Sequence, residues 1–195
     1  LTAQIGHSHE LWEAEAKISY LTPFSYTMTD NIYWDLKNEQ NEVLRSGKGN
    51  LSDYTFDEPG KYTLNIQKNA GIDSNVPDKL NITVSTMKMV FDMSSVIITP
   101  SIIGGRSTNG TTLTVSIDFL SYDGNSAVYN QGFTSSGIGT NITGNLKNNP
   151  VTIKPGKNVL GFELQCQASS GNYISFYFKD INDVIQSYDL TSQIP

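Results

Sequence analysis

Cysteine is almost absent from this sequence. Cys166 stands alone, so no disulfide can form within the chain, and a redox or thiolate-metal centre has nothing to draw on. Histidine is nearly as scarce: His7 and His9 both precede the first strand-like pattern. A nucleophile-and-base pair for acyl transfer therefore has no evident partner for Cys166, which lies in the apolar run 160–168 and reads as a buried strand thiol. Basic residues are few and scattered, 13 against 19 acidic ones for a net charge of -6. That balance excludes a nucleic-acid backbone as partner, since phosphate binding relies on clustered Lys and Arg. No stretch of about 18 apolar residues occurs, so no segment reads as a membrane-spanning helix.

What is present is a succession of short runs with period-two alternation, separated by turn residues. The clearest surrounds Pro59-Gly60: Tyr62, Leu64 and Ile66 alternate with Lys61, Thr63 and Asn65, which puts every second side chain on one face of a sheet. The same Pro-Gly-Lys opening returns at Pro155-Gly156-Lys157, followed by another strand-like run. Ahead of the first, Ile18 and Tyr20, then Phe24, Tyr26 and Met28, then Ile32, Trp34 and Leu36 alternate, and Leu80, Ile82 and Val84 close the series. About seven strands in fewer than 90 residues is the spacing of an immunoglobulin-like sandwich. The expected fold is all-β, with two tandem immunoglobulin-like β-sandwich domains at 17–86 and 87–195. Residues 1–16 are expected to form an N-terminal tail or a short helix capped by Ser8.

Trp34-Asp35-Leu36, then Tyr54-Thr55-Phe56, then Pro59-Gly60-Lys61-Tyr62-Thr63-Leu64 resemble the hallmark strands of a PKD domain. The resemblance covers residues 17–86 and implies an immunoglobulin-like sandwich with a central tryptophan between the sheets. On that reading Tyr62 packs against Trp34 and its hydroxyl finds backbone at the corner.

The second half opens with Met87, Met89, Phe91 and Met93, read as a packed strand rather than a thioether metal site. Leu113, Val115, Ile117 and Phe119 alternate as a half-buried strand. Residues 121–144 are rich in Gly, Ser, Asn and Thr with Tyr122, Tyr129, Phe133 and Ile138 interspersed. That composition predicts long loops or edge strands at one end of a sandwich, where binding surfaces are usually found. Tyr122, Tyr129 and Phe133 are accordingly the candidate binding residues. Residues 173–190 read as a closing hairpin; together with Phe162-Glu163-Leu164-Gln165 they resemble the C-terminal part of TraQ-type proteins of Bacteroidota conjugative transposons. That resemblance implies an accessory role in a conjugation or secretion apparatus.

Chemistry-bearing clusters are sparse. His7, His9 and Glu10 carry ligand-type side chains but no third partner at metal-binding spacing. Asp180 and Asp183 bring two carboxylates to one turn, where calcium wants six or more oxygens. Gly104-Gly105-Arg106-Ser107 lacks the Lys-Ser/Thr of a phosphate loop. No catalytic residue, metal site or cofactor is expected. Leu1-Thr2-Ala3-Gln4 resembles the end of a bacterial secretory signal, which points to the periplasm or cell surface, with a lipid anchor open. The expectation is a non-enzymatic binding, adhesion or assembly module with a protein or glycan ligand; a carbohydrate-binding accessory protein is the alternative.

Overall fold

The computed structural model describes residues 11–29, 31–68 and 75–195. They form strands with no helix among them, and the chain divides into two compact units, Leu1–Thr86 and Met87–Pro195.

The first unit contains β1 (Glu13–Ser19), β2 (Pro23–Tyr26), β3 (Tyr33–Lys37), β4 (Val43–Lys48), β5 (Leu51–Thr55), β6 (Gly60–Gln67) and β7 (Lys79–Ser85). Five of them make one sheet in the order β1-β7-β6-β3-β4, and β2 pairs with β5 in a second. The core between them takes Phe24, Leu51 and Phe56 from one side and Trp34, Leu36, Leu64, Ile66, Leu80, Ile82 and Val84 from the other. The helix or tail expected through residue 16 is corrected here. Glu13, Glu15 and Lys17 face solvent while Ala14, Ala16 and Ile18 turn inward, a period of two that makes a strand, and β1 runs parallel to β7. The residues around Ser8, and the group His7, His9 and Glu10, lie outside the described residues.

Pro59-Gly60 also differs from a hairpin turn. It carries the chain from β5 in the small sheet to β6 in the large one, so it is a corner between layers. Tyr62 seals that corner: its hydroxyl donates to the Glu58 carbonyl at 2.7 Å, and its ring packs on Phe56 at 4.4 Å between centroids rather than on Trp34. Burial, and then the Glu58 carboxylate, push the Tyr62 phenol above its ordinary value. Trp34 is engaged elsewhere. It sits opposite Gly47 on β4, its indole lies over that glycine, and its Nε1 donates to the Gly49 carbonyl at 2.8 Å.

The second unit contains β8 (Met87–Thr99), β9 (Thr112–Ser121), β10 (Ala127–Tyr129), β11 (Phe133–Ser136), β12 (Thr143–Leu146), β13 (Val151–Ile153), β14 (Gly156–Gln165), β15 (Ser175–Lys179) and β16 (Ile185–Asp189). Seven strands form one sheet in the order β16-β15-β11-β12-β14-β9-β8, and β10 pairs with β13. This order differs from that of the first unit, so the Pro-Gly-Lys echo marks a local likeness: each copy opens a central strand, β6 or β14. The aromatic-over-glycine device recurs, with Phe133 opposite Gly144 and its ring occupying the space a side chain there would need. Met89 is core, and Met87 and Met93 pack against it.

A methyl group at Gly47 would stand 2.7 Å from Cζ2 of Trp34, inside van der Waals contact with a ring that the core holds in place. Gly47→Ala should destabilise the first unit by about 1–3 kcal/mol. Both tryptophans of the sequence lie in that unit, so urea unfolding followed by tryptophan fluorescence reads it selectively. An unchanged midpoint would contradict the packing of the indole on this glycine.

Candidate functional site

In the second unit the chain reverses repeatedly at one end of the large sheet. Residues 100–111 join β8 to β9, residues 137–142 join β11 to β12, residues 166–174 join β14 to β15, and residues 190–195 follow β16. Long connections of this composition are usually mobile, but here backbone hydrogen bonds tie them to one another. Gly105 N–H donates to the Ala168 carbonyl at 2.8 Å, Ser169 N–H to Gly139 at 3.1 Å, and Thr108 N–H to Cys166 at 2.8 Å. Asn141 and Gln167 are joined twice, by Asn141 N–H to the Gln167 carbonyl and by Gln167 N–H to Asn141 Oδ1, each at 3.1 Å. The last residues join in, with Gly104 N–H donating to Pro195 at 2.9 Å and Gly171 N–H to Ile194 at 2.7 Å. These bonds cross-link the loops into one platform.

That platform carries exposed apolar side chains. Ile138 is 82% exposed and Tyr173 59%. Ile138 is flanked by Gly137 and Gly139, at φ 146° and 68°, conformations that L side chains rarely adopt. The two glycines turn the chain so that the residue between them points outward. Gly137 also lies against the Tyr173 carbonyl, which brings the two exposed residues to neighbouring loops. Ile103, also exposed, precedes Gly104, which abuts Ser170. Preorganised loops presenting isoleucine and tyrosine offer the chemistry of protein association.

The predicted binding residues divide. Tyr129 is 1% exposed and Phe133 3%, so both are core residues, and their assignment to a binding surface is corrected. Phe133 packs against Phe162, Phe176 and Phe178, and the Tyr129 hydroxyl donates to the Lys179 carbonyl at 2.6 Å. Burial, with the Asp180 carboxylate adding to it, drives the Tyr129 phenol far above its ordinary value. Tyr122 is exposed, but it follows the far end of β9, roughly 30 Å from the platform at the usual rise per strand residue. Of the platform residues, Ile138 stands in the sequence only as one of several apolar residues within 121–144, and Tyr173 reads as part of a strand.

Cys166 is corrected as well. It follows Leu164 at the spacing that would bury it, but β14 ends at Gln165 and Cys166 takes φ 70°, which swings its side chain out to solvent. Asp180 is buried, and its carboxylate is used by its own turn: Oδ1 accepts from Asn182 N–H at 2.8 Å and Val184 N–H at 3.0 Å, Oδ2 from Gln186 Nε2 at 3.1 Å. Asp183 takes φ 62°. Among the described residues no three His, Cys, Asp or Glu side chains come together in metal-binding range.

The first unit has a different concavity, of about 310 Å³, between residues 38–40 and the corner at 57–60. Asn38, Glu39, Gln40, Asp57 and Glu58 line it together with Tyr54 and Tyr62. The Arg45 guanidinium lies 4.9 Å from the Tyr54 ring centroid, a cation–π contact that covers part of that ring.

No family model matches the chain, and no curated protein matches it. Among solved structures it is similar to a β-glucuronidase of glycoside hydrolase family 2, with a TM-score of 0.29 and 10% identity over 91% of this chain and 19% of that one. It is similar also to a β-glycosidase from Bacteroides vulgatus, with a TM-score of 0.23 and 13% identity over 88% and 23%. A third is Salmonella α-2-macroglobulin, with a TM-score of 0.24 and 8% identity over 93% and 14%. The chain spans less than a quarter of the length of each. At these scores nothing about activity or ligand passes from them to this chain.

Exposure of Cys166 has a direct consequence. In the native protein the thiol should react fully with Ellman's reagent, to the same extent as in denaturant. A thiol that reacts only after unfolding would return it to the sheet interior.

Proposed function

We propose that this chain is a non-enzymatic, extracytoplasmic module of the bacterial cell envelope that holds a protein partner on the loop platform of its second unit. One observation carries the reading: Ile138 and Tyr173 stand exposed on loops whose backbones are hydrogen-bonded to each other. Ordering flexible loops is a large part of the cost of association, and loops already fixed avoid it. Apolar and aromatic side chains in such a setting form the centre of an interface, with the surrounding Ser and Asn residues as its polar rim.

The first unit is, on this proposal, a PKD-like immunoglobulin sandwich that serves as a spacer or carrier. Its strand order supports this. β3, β6 and β7 lie in one sheet and β2 and β5 in the other, the arrangement of strands C, F and G against B and E. Trp34 on β3 and the corner formed by Tyr62 and the Glu58 carbonyl occupy the places of the buried tryptophan and the tyrosine corner of that fold. An accessory role in a conjugation or secretion apparatus, implied by the TraQ-type resemblance, is one form the assembly function could take.

A benzoylphenylalanine placed at Ile138 in cells of the source organism should give one discrete photo-adduct with an envelope protein, and Tyr173→Ala should remove most of it. The same probe at Lys157, on an exposed strand position, should give none. Adducts of equal yield and pattern at both positions would end the reading.

The groove at Tyr54 and Tyr62 favours a second one, glycan binding, because amides, carboxylates and tyrosine together suit sugar hydroxyls and faces. On a glycan array the chain should then retain a ligand that Tyr54→Ala releases. Retention of no glycan would remove this reading and leave the platform untouched.

A further inference from the structure

The seven strands of the large sheet are joined by antiparallel pairings throughout, so the two edge strands, β8 and β16, run in the same direction. They are brought together at one end by side chains. Gln186 on β16 accepts a hydrogen bond from Phe91 N–H at 2.9 Å and donates to the Met89 carbonyl at 2.7 Å, and Asn182 donates to the Met87 carbonyl at 2.8 Å. One primary amide thus makes, to residues two apart on β8, the donor-and-acceptor pair that a neighbouring strand would make. Asp180 holds that amide from behind.

Beyond Phe91 the two edges part. The pairing of β8 with β9 shifts register between Asp92 and Ile97, and Ser95 Oγ accepts from Ser116 N–H at 2.8 Å in place of a backbone carbonyl. Bulges bend the strand that carries them. Past this one a groove of about 340 Å³ opens, lined by Val96, Ile98 and Ile102 on one side and by Tyr188, Leu190 and Ile194 on the other. Val96, Ile98, Tyr188 and Leu190 pack against the core while remaining partly exposed, so the groove is a slot through which the core reaches solvent. No Lys, Arg, Asp or Glu lines it.

We propose that this slot accepts one extended peptide segment of a partner protein by strand addition, the guest lying along the residue 96–99 edge of β8 and placing alternate apolar side chains over the core. The pairing already made by Gln186 is the argument for a strand: farther along the same edge, a guest backbone continues it. Proteins blunt exposed edges with Lys, Pro or inward charge, and residues 96–99, Val-Ile-Ile-Thr, have none. The lack of charge selects an uncharged guest, with main-chain bonds supplying affinity and the apolar contacts supplying register. Residues 101–102 and 191–195 belong both to the slot and to the platform loops, so the proposal deepens the protein-binding reading and gives the partner's contact a definite form.

The test uses the full chain and a phage-displayed library of random linear dodecapeptides. Recovered peptides should alternate apolar and uncharged polar residues. On the 15N-labelled chain they should shift the amides of residues 96–99 and 187–190, and N-methylation of alternate peptide bonds should weaken them by about tenfold or more, since it removes main-chain donors. Peptide binding is read on the purified chain and the Ile138 photo-adduct in cells, so loss of one with the other retained separates failure of the slot from failure of the platform. The proposal is overturned if no alternating peptide is recovered, if the shifts map elsewhere, or if N-methylation has no effect. Concentration-dependent shifts at residues 96–99 without peptide would put a second copy of the chain in the slot and equally overturn it.

Discussion

An open sheet has two edges, and each edge is a row of backbone donors and acceptors that must be satisfied somewhere. In the second unit this constraint governs what the molecule shows to solvent. A buried carboxylate, Asp180, fixes the turn between β15 and β16 by accepting from two backbone N–H groups and from Gln186. The Gln186 amide, so held, stands in for a strand along the first part of β8. Where its reach ends, the sheet stays open and the slot begins. Closure and opening are two outcomes of one arrangement, and both trace to a turn whose acidic residues read first as possible metal ligands.

The first unit solves a different problem, how to place a large ring between closely stacked layers. Trp34 is accommodated because the cross-strand position is Gly47, and its one polar atom is satisfied by the Gly49 carbonyl. Phe133 over Gly144 repeats the solution in the other unit. A glycine would ordinarily weaken a strand; here an aromatic neighbour fills the missing side chain's space, so the pair packs as one unit. Tyr62 adds a tether at the layer crossing, its hydroxyl fixing the chain four residues back. These are local devices, and each is written in residues of recognisable type.

That is why much of the fold was legible. The strands β3, β6, β7, β9 and β15 have clean period-two alternation and stand where the pattern puts them. Legibility failed where the backbone, rather than the side-chain pattern, decides. Cys166 continues an alternating series but leaves the sheet through a left-handed residue. Pro59-Gly60 turns the chain, yet whether a turn stays within a sheet or crosses between sheets depends on pairing partners far along the sequence. Tyr129 and Phe133 lie on strands of three and four residues, too short for a period to separate core from surface, and the glycine- and serine-rich surroundings pointed to loops. The first part of β1, residues 13–16, was missed because alanine supplies its inward face there, and alanine carries a weak hydrophobic signal. The candidate site was less legible than the fold. A glycine on each side of Ile138 was visible, but the hydrogen bonds that make its loop a platform join segments distant in sequence.

Rigidity decides between the surfaces the protein offers. Rings of the first unit that reach solvent lie under cations, the exposed Tyr33 beneath Lys48 and the half-buried Tyr54 beneath Arg45, so a ligand stacking there must first displace a charged group. Ile138 and Tyr173 sit on loops already immobilised by backbone bonds, so a partner that covers them loses little further conformational freedom. The slot shares those loops and adds unpaired strand edge, which recognises main chain whatever the side chains. Apolar contact alone grips many partners weakly; main-chain pairing in a slot of limited length admits an extended segment and rejects a helix or a bulky loop. Selectivity in this unit therefore comes from combining the two, and the geometry that combines them is the parting of β8 from β16 beyond Gln186.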